Sequence, residues 1–313
     1  MRNALLLPVV VMATMAVGPE ARAGGDLAGA AAASPRPPEC RLGSARAAPA
    51  LWSRARVPEL GRFCDALARG YARLARSPQE AAAQAERAER ALPGRAATWV
   101  LRGRASFALG QYAASFRDLV RAWKASPHSL DAPGALHDLG RSALATGHHP
   151  EALAAYRALV PRTALLDSET LRQRIYVEAA ALAMSTGAVG LNEALGYLGE
   201  ARSVDGTPGF ENLVLASLAL TLDRQGRKKE AEGVLRELRG TFDVQAFVKS
   251  GHAPHLPPGE LLALSAIVGE RPGSARTVSE WSELADKHPR SPWAAHARAK
   301  AGAPQRGPGK GHD

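Results

Sequence analysis

ALGQYAASFRDLVRAWKASP, residues 108–127, places small and helix-ending residues at fixed offsets. In a 34-residue frame, Gly110 occupies position 15 and Pro127 occupies position 32. A glycine suits the left-handed residue that ends one helix, and a proline cannot continue the next. Ser115 and Ala122, at positions 20 and 27, are small enough for close contacts between helices. The stretch therefore predicts the turn and the second helix of an antiparallel helix pair.

The same frame recurs along the chain, which indicates a repeat array. The predicted units are 62–95, 96–129, 133–166, 175–208, 212–245 and 258–291. The pattern resembles the tetratricopeptide repeat, and within that family it is similar to exported bacterial members. The resemblance implies an all-α, right-handed superhelix of about five to six helix pairs, with residues 292–302 as a capping helix. The composition agrees, because 64 alanines and only 5% aromatic residues favour helices over sheets.

The first 23 residues differ from the repeats. Arg2 precedes a short apolar stretch, and small residues end this stretch at Ala23, which is the pattern of a cleaved secretory signal. A retained membrane anchor is the alternative. The other predicted divisions are a disordered Ala/Gly/Pro-rich linker at 24–50, the solenoid at 51–301 and a disordered tail at 302–313. We therefore expect an exported protein, periplasmic or secreted, after cleavage near Ala23.

Cys40 and Cys64 are the only two cysteines. An exported compartment permits a disulfide between them, which would tie the N-terminal segment to the first helix of the array. Closing a loop of this length contributes roughly 3 kcal/mol to stability in the chain-entropy description. Two unrelated thiols are the alternative.

The chain contains none of the common catalytic motifs. A nucleophile elbow, an HExxH helix and paired CxxC motifs are all absent from the sequence. His148 and His149 lie in a predicted turn, where filling the turn is favoured over binding a metal. We therefore expect a non-enzymatic protein that needs no cofactor and no metal.

The family resemblance also implies where a partner would bind. In tetratricopeptide repeats, positions 2, 5, 9 and 12 of each first helix face a concave groove. In this chain, these positions give the predicted protein-binding residues Arg73, Arg104, His137, Arg141 and Tyr176. Arg104 and Arg141 share position 9 in adjacent units, so their guanidinium groups would hold the carboxylates of an acidic segment. The alternative for these arginines is exposure to solvent or pairing with Asp138.

The charge and the last unit supply two further hypotheses. The net charge is +10, with 33 arginines and seven lysines. Export and the scarcity of aromatic residues argue against nucleic acid, so the charge suggests a binder of envelope polyanions. Arginines spread over solvated helix faces are the alternative. Residues 281–302, WSELADKHPRSPWAAHARAKAG, are similar to the repeat ending of outer-membrane assembly proteins and of the Tol–Pal accessory factor, which implies a role in an outer-membrane complex. The leading hypothesis is a scaffold that binds a protein or peptide segment in the groove.

Overall fold

The computed structural model describes residue 40 and residues 57–204, 208–247, 249, 254, 256–257, 259–270 and 278–302. This part of the chain contains fourteen α-helices and no β-strand. The predicted signal at 1–23, nearly all of the linker at 24–50 and the tail beyond residue 302 lie outside the described residues.

The helices are numbered in chain order. They are α1 (Val57–Arg73), α2 (Pro78–Ala91), α3 (Ala96–Ala108), α4 (Tyr112–Ala125), α5 (Pro133–Ala145), α6 (His149–Leu159), α7 (Glu169–Met184), α8 (Ala188–Ser203), α9 (Pro208–Arg224), α10 (Lys228–Glu237), α11 (Val244–Phe247), α12 (Glu260–Gly269), α13 (Val278–Lys287) and α14 (Ala294–Ala301). Two 3₁₀ helices, Pro127–Leu130 and Val160–Leu165, lie between the second and third pairs and between the third and fourth pairs.

Consecutive helices pack in pairs, and each pair packs on the next one. The pairs are α1 with α2, α3 with α4, α5 with α6, α7 with α8, α9 with α10 and α12 with α13. Contacts between α2 and α3, α4 and α5, α6 and α7, and α8 and α9 join neighbouring pairs, while α12 packs on α9 and α14 packs on α13. The prediction of an all-α helical-repeat solenoid is confirmed.

A glycine in the left-handed conformation makes the turn inside several pairs. Gly110, between α3 and α4, has a φ of 72°, and the glycines at position 15 of the third and fifth units, Gly147 and Gly226, have φ values of 77° and 79°. Other residue types adopt this conformation only at a cost, so the glycine at position 15 has a conformational reason. The fourth unit differs, because α7 begins at Glu169, ahead of the predicted unit start at 175.

Small residues at the predicted contact positions let the helices approach closely. A Cβ atom on Gly103 would lie 2.7 Å from Cγ of Leu119, and one on Gly140 would lie 2.8 Å from Cε2 of Tyr156. Both distances are too short for real contacts, so these two positions accept only glycine without movement of the neighbour. Ser115 and Ala122 are fully buried between the helices.

Cys40 and Cys64 form a disulfide, with their Cα atoms 5.6 Å apart. Cys64 lies on α1, so the bond ties residue 40 to the first helix of the array. Of the two alternatives that the sequence left open, the structure contains the bridged one.

Candidate functional site: a polar seam between α3 and α5

Helices α3 and α5 bring three of the five predicted binding residues together. Arg104, on α3, lies among Asp138, His137 and Arg141 of α5; we call these four residues and the adjoining Phe107 the inner seam. Arg104 Nε donates to Asp138 Oδ2 over 2.9 Å, and both side chains are 4% exposed. Pairing with Asp138, the alternative considered for this arginine, is therefore what the structure contains.

A glycine at the start of α5 makes room for the Arg104 side chain. A Cβ atom on Gly134 would lie only 2.7 Å from Arg104 Nη2. Any larger residue at this position would displace the guanidinium group and so disturb its hydrogen bond to Asp138. Gly134 thus positions Arg104 in the seam.

The inner seam keeps unused hydrogen-bonding atoms. Arg104 Nη1 and both ring nitrogens of His137 are buried and have no hydrogen-bond partner within the described part of the chain. His137 Nδ1 is 3.8 Å from Asp138 Oδ1, which is too far for a hydrogen bond. Buried polar groups normally find partners, and leaving one unpaired costs about 1–3 kcal/mol. The seam therefore has bonding capacity that the described fold does not use.

Among the charged residues of the seam, Arg141 is the one that is not fully buried. It is half-buried, and its guanidinium carbon lies 5.8 Å from the centre of the Phe107 ring, within the range of a cation–π contact. The same ring packs edge-on against His137, at 6.3 Å between ring centres. Phe107 thereby fixes both a cation and an imidazole on the same side of α3.

The other two predicted residues lie apart from the seam. Arg73 is exposed on α1, with its Nη1 atom 3.4 Å from Glu80 Oε2 on α2. Tyr176 is buried on α7, and its hydroxyl is 2.8 Å from Thr163 Oγ1. The five residues therefore do not form one continuous open surface.

The apolar half of the predicted groove is interior. The residues at the same positions in the later units are Ala179, Ala183, Leu213, Ala216, Leu220, Leu262 and Ala266, and all except the partly buried Leu262 are fully buried. Helices α7 and α9 are accordingly buried on nearly every side. Within the described residues, these positions of the later units are therefore interior and offer no open groove.

A buried hydrogen bond between two polar side chains joins α6 to α7. The hydroxyl of Tyr156 donates to the carboxylate of Glu178, and both residues are fully buried. Burial and the Glu178 carboxylate raise the pKa of Tyr156 well above its usual value, while Arg141 and Arg174 oppose the rise. Tyr156 therefore stays a neutral donor at every physiological pH.

A second polar cluster, which the sequence did not reveal, joins α9, α12, α13 and α14. We call Asp223, Glu270, Trp281, His296 and Lys300 the C-terminal network. Lys300 Nζ lies 2.9 Å from Asp223 Oδ1 and 2.8 Å from Glu270 Oε2. His296 Nε2 is 2.9 Å from Asp223 Oδ2, and Trp281 Nε1 donates to Glu270 Oε1 over 2.7 Å. The network connects the capping helix to α9, to the end of α12 and to α13.

The charges of the C-terminal network hold each other in the ionised form. Burial would raise the pKa of Asp223, but the bonds from His296 and Lys300 outweigh this effect and lower it. Burial would lower the pKa of Lys300, but its bonds to Glu270 and Asp223 outweigh this and raise it. The sequence did not mark this cluster, because Lys300 lies 30 residues from Glu270 and 77 from Asp223, and His296 lies 73 residues from Asp223.

Beside this network lies an isolated buried carboxyl group. Glu260, at the start of α12, is fully buried, and neither of its oxygens has a partner in the described ranges. Burial raises its pKa to about 8, although the positive charge of Arg224 opposes the shift. Arg224 itself donates to the carbonyl oxygens of Met184 and Pro292 over 2.6 and 3.2 Å. Glu260 is thus a neutral acid at neutral pH.

The histidine pair at the turn before α6 makes contacts of its own. His148 stacks on Phe116, with ring centres 4.1 Å apart, and its Nδ1 lies 2.9 Å from Thr146 Oγ1. Over the described ranges, no three His, Cys, Asp or Glu side chains are grouped in a way that could hold a metal ion. None of the described helices is long and apolar enough to cross a membrane.

Neither a protein-family model nor a curated protein matches the sequence.

Proposed function

We propose that the protein is a non-enzymatic interaction scaffold that binds an acidic protein segment at the inner seam. The observation that carries the proposal is the set of unused polar atoms at the predicted binding positions. Arg104 Nη1 and the His137 nitrogens are buried in the same seam as the half-buried Arg141, on adjacent units of a helical-repeat fold. Repeat solenoids commonly bind partners along such surfaces, because each unit adds side chains in register.

The acidic character of the segment follows from the groups that would meet it. A carboxylate at Arg141 would form a charge-assisted bond, and the cation–π contact with Phe107 would keep the guanidinium group in place. A side chain that entered between α3 and α5 would reach His137 and Arg104 Nη1. An acidic side chain is the better match, because Arg104 Nη1 can only donate a hydrogen bond.

The test is affinity capture from envelope extracts of the source cells, with the wild type and two charge-reversal variants. Arg141→Glu changes the charged residue of the seam that is not fully buried. Arg236→Glu on α10 is the matched control, since Arg236 is 65% exposed and its pair with Glu232 is long, at 3.8 Å. Partners that the wild type and the control retain, and that Arg141→Glu loses, would support the proposal. Equal capture by all three proteins would contradict it.

Reversing Arg104 is unsuitable for this test. The residue is buried against Asp138, so a carboxylate there would place two like charges together in the interior and would unfold the seam. Arg141 is half-buried, so its reversal leaves the Arg104–Asp138 ion pair in place.

A second candidate function, the binding of envelope polyanions, is favoured by the outer face of α4. Arg117, Arg121 and Lys124 are all exposed, and none is within 4 Å of a carboxylate of the described residues. Arg121 is held over the Trp99 ring at 4.0 Å. Three unpaired cations on one helical face attract anionic surfaces, and salt screens this attraction.

Sedimentation with anionic and neutral phospholipid vesicles tests the second candidate. Binding only to anionic vesicles that falls steeply with salt, and that is lost when all three residues become glutamine, would support it. Binding that salt does not change would contradict it. A role in an outer-membrane complex is a third proposal, carried by residues 281–302 alone, and fractionation that leaves the protein outside such complexes would contradict it.

A further inference from the structure

A polar cavity of about 600 Å³ lies where the fourth and fifth helix pairs meet. Its apolar part is formed by Val204, just after α8, and by Val214 and Leu215 of α9. Small-molecule sites in proteins have volumes of about 300–1,000 Å³, so this cavity has the size of a ligand site. It lies on α7 to α10, away from the inner seam.

A buried amide in the cavity wall has a free acceptor. Gln173, on α7, is 2% exposed and lines the cavity. Its Nε2 donates to the carbonyl oxygen of Ala201 over 3.2 Å, which fixes the orientation of the amide. Its Oε1 is buried and has no hydrogen-bond partner among the residues described. A ligand that fits this wall must therefore present a hydrogen-bond donor.

Four charged side chains complete the wall in two pairs of opposite sign. Arg202 Nη2 is 2.7 Å from Glu237 Oε2, and Arg239 Nη2 is 3.3 Å from Glu211 Oε1. All four side chains are between 39% and 71% exposed, and exposed pairs of this kind contribute only about 0–1 kcal/mol, so a ligand can exchange with them at little cost.

The backbone near the cavity is held firmly. The side chain of Asn212 donates to the carbonyl oxygen of Arg239 over 3.0 Å and accepts from its N–H group over 2.9 Å. These two hydrogen bonds between α9 and the segment after α10 fix the backbone position from which the Arg239 side chain extends. The backbone of Arg239 and the side-chain amide of Gln173 are therefore both fixed at the cavity.

We propose that this cavity binds a small zwitterion, namely a free amino acid or a dipeptide. The carboxylate of the ligand would bind Arg239, and its ammonium group would bind Glu211, the partner in the longer of the two ion pairs, and donate to Gln173 Oε1. The apolar residues would contact the ligand side chain. A simple anion would face two carboxylates and a simple cation two guanidinium groups, whereas a zwitterion matches both signs.

Saturation-transfer NMR on the full chain, with the standard amino acids and a set of dipeptides as probes, is the first test. We expect saturable binding of at least one probe, with about tenfold weaker binding after N-acetylation or C-amidation, because each cap removes one charge. No saturable binding of any probe up to about 10 mM would overturn the proposal. Equal binding of capped and uncapped probes would overturn it as well.

Calorimetric titration of variants locates the site. Arg239→Gln and Glu211→Gln should each weaken binding at least about tenfold, and Gln173→Met should do the same by removing the acceptor. Arg236→Gln on α10, which does not line the cavity, is the control and should bind like the wild type. Wild-type affinity in both charge variants would overturn the proposal, and this outcome can be read even if Gln173→Met does not fold.

Discussion

The inner seam and the C-terminal network are both polar clusters between helix pairs, but they differ in how fully their groups are bonded. In the network, Lys300 bonds two carboxylates, and Asp223 and Glu270 each accept from two partners. In the seam, Arg104 bonds Asp138, while its Nη1 atom and the nitrogens of His137 find no partner in the part of the chain described. The comparison separates a cluster that holds the array together from a cluster that can still accept a ligand.

The largest expected effect is the loss of Lys300. Lys300→Met would leave Asp223 and Glu270 facing each other without the cation between them. Removing one partner of a buried ionic cluster costs about 3–5 kcal/mol, so we expect a loss of about 4 kcal/mol in the free energy of unfolding. Urea denaturation measures this loss.

Lys287→Met is the matched control for Lys300. Lys287 is 65% exposed and bonds Glu283, one turn away on α13. Its replacement should change the free energy of unfolding by less than about 1 kcal/mol. Similar losses in the two variants would mean that the network does not hold the capping helix.

The second effect concerns the ion pair of the seam. Arg104→Met would leave the buried Asp138 without its guanidinium partner, but His137 Nδ1, at 3.8 Å, can partly replace it. We therefore expect a loss of about 2–3 kcal/mol, below that of Lys300→Met. Urea denaturation of both variants under the same buffer conditions gives the order, and a larger loss for Arg104→Met would reverse the comparison.

The third effect depends on pH and concerns Glu260. Below about pH 4.5 the carboxyl group is protonated in both the folded and the unfolded state, so its titration does not change the free energy of unfolding in this range. Between pH 4.5 and about 8 the unfolded state releases the proton while the folded state keeps it, so stability falls as pH rises. Above pH 8 the loss is complete.

Glu260→Gln should remove this part of the pH dependence. The variant should match the wild type near pH 4 and unfold at a higher temperature than the wild type at pH 8. Comparing the two proteins cancels the titration of the C-terminal network, which both contain. Parallel stability curves over this pH range would show that Glu260 is ionised in the folded protein.

The smallest change in the free energy of unfolding is expected for His137, the histidine of the seam. His137→Phe removes two nitrogens that bond nothing in the described structure and keeps a ring against Phe107. The free energy of unfolding should change by less than about 1 kcal/mol, while capture of the acidic partner should weaken. A loss of several kcal/mol in thermal or urea unfolding would show that His137 is a structural residue.

The regular spacing of glycines and other small residues within each unit made the fold predictable. Gly110 has the left-handed conformation that its position requires, and Gly103 and Gly140 lie where a Cβ atom would collide with the second helix. Such constraints repeat within 34 residues and leave a mark in the sequence. They also placed Arg104 and Arg141 on neighbouring first helices, as the structure has them.

Long-range contacts could not be predicted in the same way. From the sequence, the side chain of Arg104 could face solvent or pair with Asp138. The packing of α3 on α5, with Gly134 next to the guanidinium group, decides for the pair with Asp138. Lys300 lies 77 residues from Asp223, and no sequence pattern marks that pair. The cavity beside Gln173 likewise depends on how α7 to α10 meet, which spacing within one unit does not determine.

The most direct test of the account is hydrogen–deuterium exchange of the full chain with and without the partner that affinity capture identifies. We expect the partner to slow exchange in residues 99–107 and 134–141, which contain the seam, and to leave exchange in residues 278–302 of the C-terminal network unchanged. Protection confined to 278–302, or no protection in the seam, would contradict it.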